Sequence, residues 1–309
     1  MNAAINQIAS NNTSGAAEIL RRAGEAFSLL RDHQTEQAQG SAEEAQQAII
    51  EACIALVRAQ PYMSPLLRLA SIAISAARTA TGAQEALRSA EDQALRFIES
   101  AERAARAAAL HAASLISNGA AVLTHSRSST VQAALVEARS SSRDFSVVVT
   151  ESRPGQEGRV LAQALASQGI RVSLIADAAA SLAMDHIDFV LLGADTITPG
   201  NLVNKIGTRM IALAARERGL PLYTVCDTSK FIDADYRWRP VRDEGSVNSL
   251  WPDAPRGVLV VNSYFEPTPL AEFTGIITED GVLSSEEASR RAERASIDKP
   301  LLDALEKLR

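Results

Sequence analysis

The stretch AAVLTHSRSSTVQAALVEARSSSRDFSVVVT (residues 120–150) decides the fold. A short apolar run, AAVLTH (120–125), breaks off in polar residues. A helical stretch opens at Ser128–Ser129–Thr130, and a second apolar run, FSVVVT (145–150), follows. Apolar runs of this length read as buried strands, and strand–helix–strand order reads as one unit of a parallel sheet. The pattern continues in RVSLIA (171–176), DFVLLGAD (188–195), LPLYTVCD (220–227) and RGVLVVNS (256–263), each read as a buried strand. Helical stretches lie between most of them, as in GRVLAQALASQG (158–169) and KIGTRMIALAARERG (205–219). The fold class expected is α/β: a Rossmann-like, doubly wound parallel sheet over residues 119–309, covered by helices on both faces. The polar segment Thr228–Pro255, which holds both tryptophans, reads as a long excursion before the last strand.

Upstream, residues 1–118 read as helix throughout. Alanine is dense, glycine is rare, and apolar residues recur at helical spacing. In SAEEAQQAIIEACIALVR (41–58), Ala45, Ile49, Ala52, Cys53 and Leu56 fall along one stripe. Ser41 with Glu44 three residues on is a capping-box signature. A longer helix is expected from about Gly82 to Ile116. The organisation expected is a helical N-terminal domain over 1–118 and a ligand-binding domain over 119–309.

The totals narrow the function classes. With 309 residues the chain can bury a large core. A formal charge of −6 argues against a nucleic-acid partner, because phosphate backbones demand clustered Lys and Arg. The two cysteines, Cys53 and Cys226, form no CxxC motif and have no zinc-like His spacing. MNAAINQIASNNTSGAAEIL (1–20) has no charged segment leading into an apolar run, and no apolar stretch of about 18 residues occurs. A cytoplasmic protein without membrane contact is expected.

In an open parallel sheet, ligands bind beyond the carboxyl ends of the strands. His125, Ser126, Arg127 and Ser128 follow the first strand; Glu151, Ser152 and Arg153 follow the second. Asp177 ends the third, Gly193–Ala194–Asp195 the fourth, and Cys226–Asp227 the fifth, with Lys230 close behind. Any one of these is explained by ordinary loop polarity and helix capping. Their gathering at one edge favours a binding site. The helix start at Ser128–Ser129–Thr130 suits an anion, and Arg127, Arg153, Arg159, Lys205 and Lys230 supply compensating charge. No GxGxxG follows a strand and no GxxxxGK[ST] occurs, so neither a dinucleotide cofactor nor a P-loop is expected. The histidines are scattered, so no metal and no cofactor is expected.

Three stretches carry a family likeness: ESRPGQEGRVLAQALASQGIRVSLIADAA (151–179), LLGADTITPGNLVNKIGTRMIALAARERGLPLYTVCDTSKF (191–231) and VNSYFEPTPLAEFTGIITEDGV (261–282). They resemble the superfamily that joins the alpha, beta and delta regulatory subunits of eukaryotic translation initiation factor two-B with two aldose–ketose isomerases. Those isomerases act on methylthioribose-1-phosphate and ribose-1,5-bisphosphate. The resemblance implies a helical N-terminal domain, a Rossmann-like C-terminal domain and a homodimer formed largely through the latter. It also leaves room for a larger assembly with related subunits.

The resemblance assigns roles residue by residue. The isomerases place a cysteine after the first strand, in a THC motif, to act with the aspartate of the GAD motif. Here Thr124–His125–Ser126 puts serine at that position, and Asp195 is retained. Asn204 and Lys205 match a substrate-contacting pair. Arg153 and Pro154 match the ETRPxxQG loop, with Glu157 at the glutamine position. Ser14–Gly15–Ala16 stands where the isomerases carry a phosphate-gripping Arg-Gly-Ala turn, so Gly15 and Ala16 are candidates without the arginine. Another isomerase arginine, before Pro-Thr-Ala, aligns with Ser64 ahead of Pro65. A serine hydroxyl does not replace a thiol in acid–base work, because its pKa lies far above the thiol's value of about 8.5.

Three functions follow as expectations. The first is an initiation-factor-subunit-like protein that binds a sugar phosphate or nucleoside monophosphate in a regulatory, non-catalytic role. The second is an aldose–ketose isomerase of a phosphorylated pentose, with Asp195 and Ser126 in the catalytic positions. The third is an assembly subunit with a vestigial pocket. The ligand-binding set is Gly15, Ala16, Arg127, Ser128, Arg153, Glu157, Asn204, Lys205 and Lys230.

Overall fold

The computed structural model describes residues 2–10, 15–36, 41–233 and 250–307. The helical part contains α1 (Asn2–Ala9), α2 (Ala16–Glu36), α3 (Ala42–Ala59), α4 (Ser64–Arg78) and α5 (Ala83–Ser114). The Ser41–Glu44 capping box opens α3 as the sequence indicates. Pro65 sits in the first turn of α4, where its missing N–H costs nothing. Ala86, Ala90, Ala94 and Ala101 let neighbouring helices approach α5 closely. At Gly24 the approach is closer still: a β-carbon would stand 2.7 Å from Ile98 Cδ1.

The main sheet holds β1 (Ala121–Thr124), β2 (Ser146–Thr150), β3 (Arg171–Ile175), β4 (Phe189–Leu192), β7 (Leu222–Val225), β9 (Gly275–Thr278) and β10 (Gly281–Leu283). Their order is β10-β9-β7-β4-β1-β2-β3, parallel except for the antiparallel β9–β10 pair. The chain winds one way from β1 through β2 and β3, then the other way through β4, β7 and β9. A crevice is therefore expected where the winding reverses, between the carboxyl ends of β1 and β4. Helix α6 (Ser129–Ser140) follows β1, α7 (Glu157–Ser167) follows β2, the short α8 (Ala180–Ala183) follows β3, and α9 (Thr208–Glu217) precedes β7. A second, antiparallel sheet pairs β5 (Thr196–Thr198), β6 (Asn201–Lys205) and β8 (Phe265–Pro269).

The structure corrects the sequence reading at several points. RGVLVVNS (256–263) forms no strand; Val258, Leu259 and Val261 are exposed, Leu259 by 74%. The sixth parallel position is taken instead by β9, whose Gly275–Thr278 residues are all buried. RVSLIA does pair as β3, but at the sheet edge, where only one neighbour shields it and most of it is exposed. Of the 228–255 excursion, residues 234–249 lie outside the described residues, as does Ser14. After α10 (Ser285–Glu293), helix α11 (Lys299–Lys307) returns to the helical part. Its Leu301 and Leu305, with Ile297, join the core of α1–α5.

Candidate functional site

The first anchor is His125, directly after β1. Its Nε2 lies 2.8 Å from the carbonyl of Ile206 and its Nδ1 2.5 Å from Thr150 Oγ1. A carbonyl can only accept, so Nε2 carries the proton and Nδ1 accepts from the threonine. One neutral imidazole thus ties the ends of β1, β2 and β6 together. Burial pushes its pKa down. Gly207, at φ 104°, leaves room for the ring; a β-carbon there would meet it at 3.1 Å.

Ser126 follows in the left-handed region, at φ 62°, a conformation that costs a non-glycine residue about 1 kcal/mol. The turn is held because Ser126 N donates to Ser152 Oγ at 2.7 Å. Ser152, itself at φ 64°, donates from its backbone N to Asp177 Oδ1, and Arg153 N donates to Asp177 Oδ2, both at 2.7 Å. Asp177 therefore shapes the loop after β2. Ser128 caps α6, its Oγ accepting from Val131 N at 3.3 Å.

The specific acids of the tail also act on this framework. Glu266 in β8 accepts from Gly207 N at 2.7 Å and Arg209 N at 2.9 Å, capping α9 where Gly207 offers no side chain. Glu279 accepts from the backbone and hydroxyl of Thr228.

These loops enclose a cavity of about 380 Å³ at the sheet's reversal point, a volume suited to one small ligand. Among the candidates from the sequence, Gly15, Ala16, Ser126, Arg127, Ser128, Glu157, Asp195, Asn204, Lys205 and Lys230 line it. Arg153 does not: its side chain is exposed and it serves the loop through its backbone. Arg159, exposed and paired with Glu151 at 2.9 Å, lies outside it too. Ser64 holds the wall from behind. Its Oγ donates to the carbonyls of Lys230 (2.7 Å) and Asp195 (3.1 Å), and its backbone N donates to Thr196 Oγ1 at 3.1 Å.

His125 and Asp227, which the sequence places at strand ends, also line it, as do residues that sequence reasoning passed over: Arg58, Tyr62, Tyr264 and Phe265. Arg58 in the last turn of α3 looks like ordinary helix-dipole compensation, so nothing local marks it. Tyr264–Phe265 carried a signal: two adjacent aromatics in a chain only 4% aromatic.

The charges are arranged in two sets. Lys205 Nζ lies 2.6 Å from Glu157 Oε1, both side chains buried, and stands over the rings of Tyr264 (4.9 Å) and Phe265 (5.1 Å). Asp195 has its pKa raised, first by burial; Lys230 and Lys205 oppose that shift and Glu157 adds to it. Arg58, Arg127 and buried Lys230 make no ion pair among the described residues. Cys226 lines the cavity and also packs into the core; burial pushes its thiol well up, so it is a poor thiolate. No cluster of His, Cys, Asp or Glu among the described residues is placed to hold a metal.

The arrangement can bind an anion through cations and donate or accept protons at Asp195. Comparison with known proteins agrees with this fold. A model of the Initiation factor 2 subunit family matches residues 12–285. The chain belongs to that family. Within the Initiation factor 2 subunit family, it is 34% identical over 271 residues to a putative translation initiation factor eIF-2B subunit 2-like protein of Pyrococcus horikoshii, covering 87% of this chain and 91% of that one. It is 37% identical over 177 residues to the ribose 1,5-bisphosphate isomerase of Archaeoglobus fulgidus, 56% of each chain. The solved structure of the Pyrococcus horikoshii OT3 translation initiation factor eIF-2B superposes with a TM-score of 0.78 at 30% identity, over 91% of this chain and 96% of that one. The family thus spans eIF-2B-like proteins and pentose-phosphate isomerases. No helix among the described residues is long and apolar enough to cross a membrane.

Proposed function

We propose that this family member binds a phosphorylated sugar or a nucleoside monophosphate at the cavity and does not isomerise it, serving a regulatory role of the eIF-2B-subunit kind. The observation that carries the reading is Ser126 at the cavity wall with Asp195, beside cations that make no ion pair among the described residues. Arg58, Arg127 and Lys230 can each offer a phosphate charge-assisted bonds worth about 1.5–3 kcal/mol. Moving a proton between adjacent carbons needs a donor and an acceptor tuned near neutral pH. Asp195, with its raised pKa, fits one role. Ser126 fits the other poorly, and Cys226 is a poor thiolate.

A second reading, a phosphorylated-pentose isomerase, is favoured by that raised pKa alone. The experiment is a thermal-shift screen of pentose phosphates and nucleoside monophosphates, followed by isomerase assays of wild type, Ser126→Cys and Asp195→Asn on ribose-1,5-bisphosphate and methylthioribose-1-phosphate. Binding without wild-type turnover supports the first reading. Robust turnover abolished by Asp195→Asn supports the second. No binding at millimolar concentration leaves an assembly subunit.

We further propose a homodimer, as the resemblance implies. Exposed Val258, Leu259 and Val261, just ahead of β8, supply apolar surface consistent with such pairing.

A further inference from the structure

Glu157 opens α7 and stands in the cavity wall almost wholly buried. Its Oε1 accepts from Lys205 Nζ at 2.6 Å, while Oε2 is closed off from solvent and has no partner among the described residues. Gly155 covers the carboxylate; a β-carbon there would stand 2.5 Å from Oε1 and 2.9 Å from Oε2. The acid is thus locked in place from both sides. Asp195 feels Glu157, Lys205 and Lys230 together. Two carboxylates and two ammonium groups therefore make this part of the cavity close to neutral. The remaining cations of the lining, Arg58 and Arg127, carry no ion pair among the described residues.

An ammonium held in a buried pair is not available to a phosphate unless the pair breaks. Breaking it strands a buried carboxylate, which is the costly outcome for such pairs. Glu157 begins half-uncompensated, since Oε2 lacks a partner, and a nearby dianion meets the field of Asp195 as well. Ser126, Asn204 and Asp195 offer this end the neutral and acceptor groups that hydroxyls use.

We propose that Glu157 is a specificity-determining residue: by engaging Lys205 it restricts the cavity to ligands with a single phosphate and a hydroxyl-bearing end, and excludes bisphosphates. This rests on the proposed ligand-binding reading and narrows its substrate class.

The test is calorimetric titration of wild type and Glu157→Gln with ribose 5-phosphate, AMP and ribulose 1,5-bisphosphate. Wild type is expected to bind the better monophosphate at least about tenfold more tightly than the bisphosphate. Glu157→Gln, which frees Lys205 without changing shape, is expected to gain about tenfold for the bisphosphate. The readout is the ratio of bisphosphate to monophosphate affinity, which should rise by about that factor. Wild type binding the bisphosphate as tightly as the monophosphate overturns the inference, and that measurement requires no variant to fold. An unchanged preference in a folded Glu157→Gln overturns it too. Failure of wild type to bind any of the three overturns the ligand-binding reading itself.

Discussion

A β-carbon on Gly193 would lie 2.6 Å from both Cβ and Oγ of Ser128. The loop after β4 can pass the start of α6 only because residue 193 has no side chain. That contact brings Asp195 and the anion-suited helix start into one cavity.

Gly193→Ala is therefore expected to push Ser128 out of its capping position. Lost capping plus local overpacking should cost about 1–3 kcal/mol, with weaker phosphate binding. Urea denaturation and ligand titration check it. Unchanged stability and affinity would contradict the proposed geometry.

His125 gives a pH dependence whose sign is fixed. Burial lowers its folded-state pKa below the ordinary value of 6.5, so the unfolded chain binds the proton more readily. Its stabilising contribution is complete above 6.5 and is lost as pH falls from there through the folded-state pKa. Within that window the slope approaches about 1.4 kcal/mol per pH unit. Denaturation midpoints at several pH values should fall accordingly in wild type and fall less in His125→Gln. Equal slopes in the two proteins would assign the effect elsewhere.

Ser64→Ala removes a buried hydroxyl that donates to the carbonyls of Lys230 and Asp195. A loss of about 1–2 kcal/mol is expected, because one buried acceptor goes unsatisfied. Phosphate-ligand affinity should fall as well, since the same bond holds the backbone of Lys230. Thermal denaturation with and without ligand separates the two effects.

Light scattering should report twice the 32.9 kDa chain mass for wild type. Leu259→Glu, at the most exposed apolar side chain of the 258–261 stretch, should shift that mass toward the monomer. A wild type that is monomeric at micromolar concentration would remove the homodimer proposal.

Much of the architecture was legible in the sequence. The runs at 120–125, 145–150, 188–195 and 220–227 each supplied a parallel strand, because a doubly covered strand must be apolar on both faces and shows it locally. The Ser41–Glu44 cap and the Ser128 cap were equally local, each closing within three residues. Ser126, Arg127, Ser128 and Asp195 converged because each follows a parallel strand of the main sheet and the carboxyl ends of such strands share one edge.

What only the tertiary structure decided is partnership between distant residues. RGVLVV (256–261) has a strand's composition, yet the sheet position went to Gly275–Thr278; apolarity announces that a segment can be buried, not which segment finds the vacant edge of β7. FEPTP pairs with Asn201–Lys205 about sixty residues earlier, and α11 packs on helices more than two hundred residues away. Ser64 meets Lys230 across 166 positions, and Glu157 meets Lys205 across 48. Periodicity and capping act over a few residues, so the sequence by itself determined the elements and the edge where chemistry gathers. Charge pairing depends on distances set by the packed chain. Which cation pairs with a carboxylate, as Lys205 does, and which makes no ion pair among the described residues was therefore settled only when the strands and helices came together.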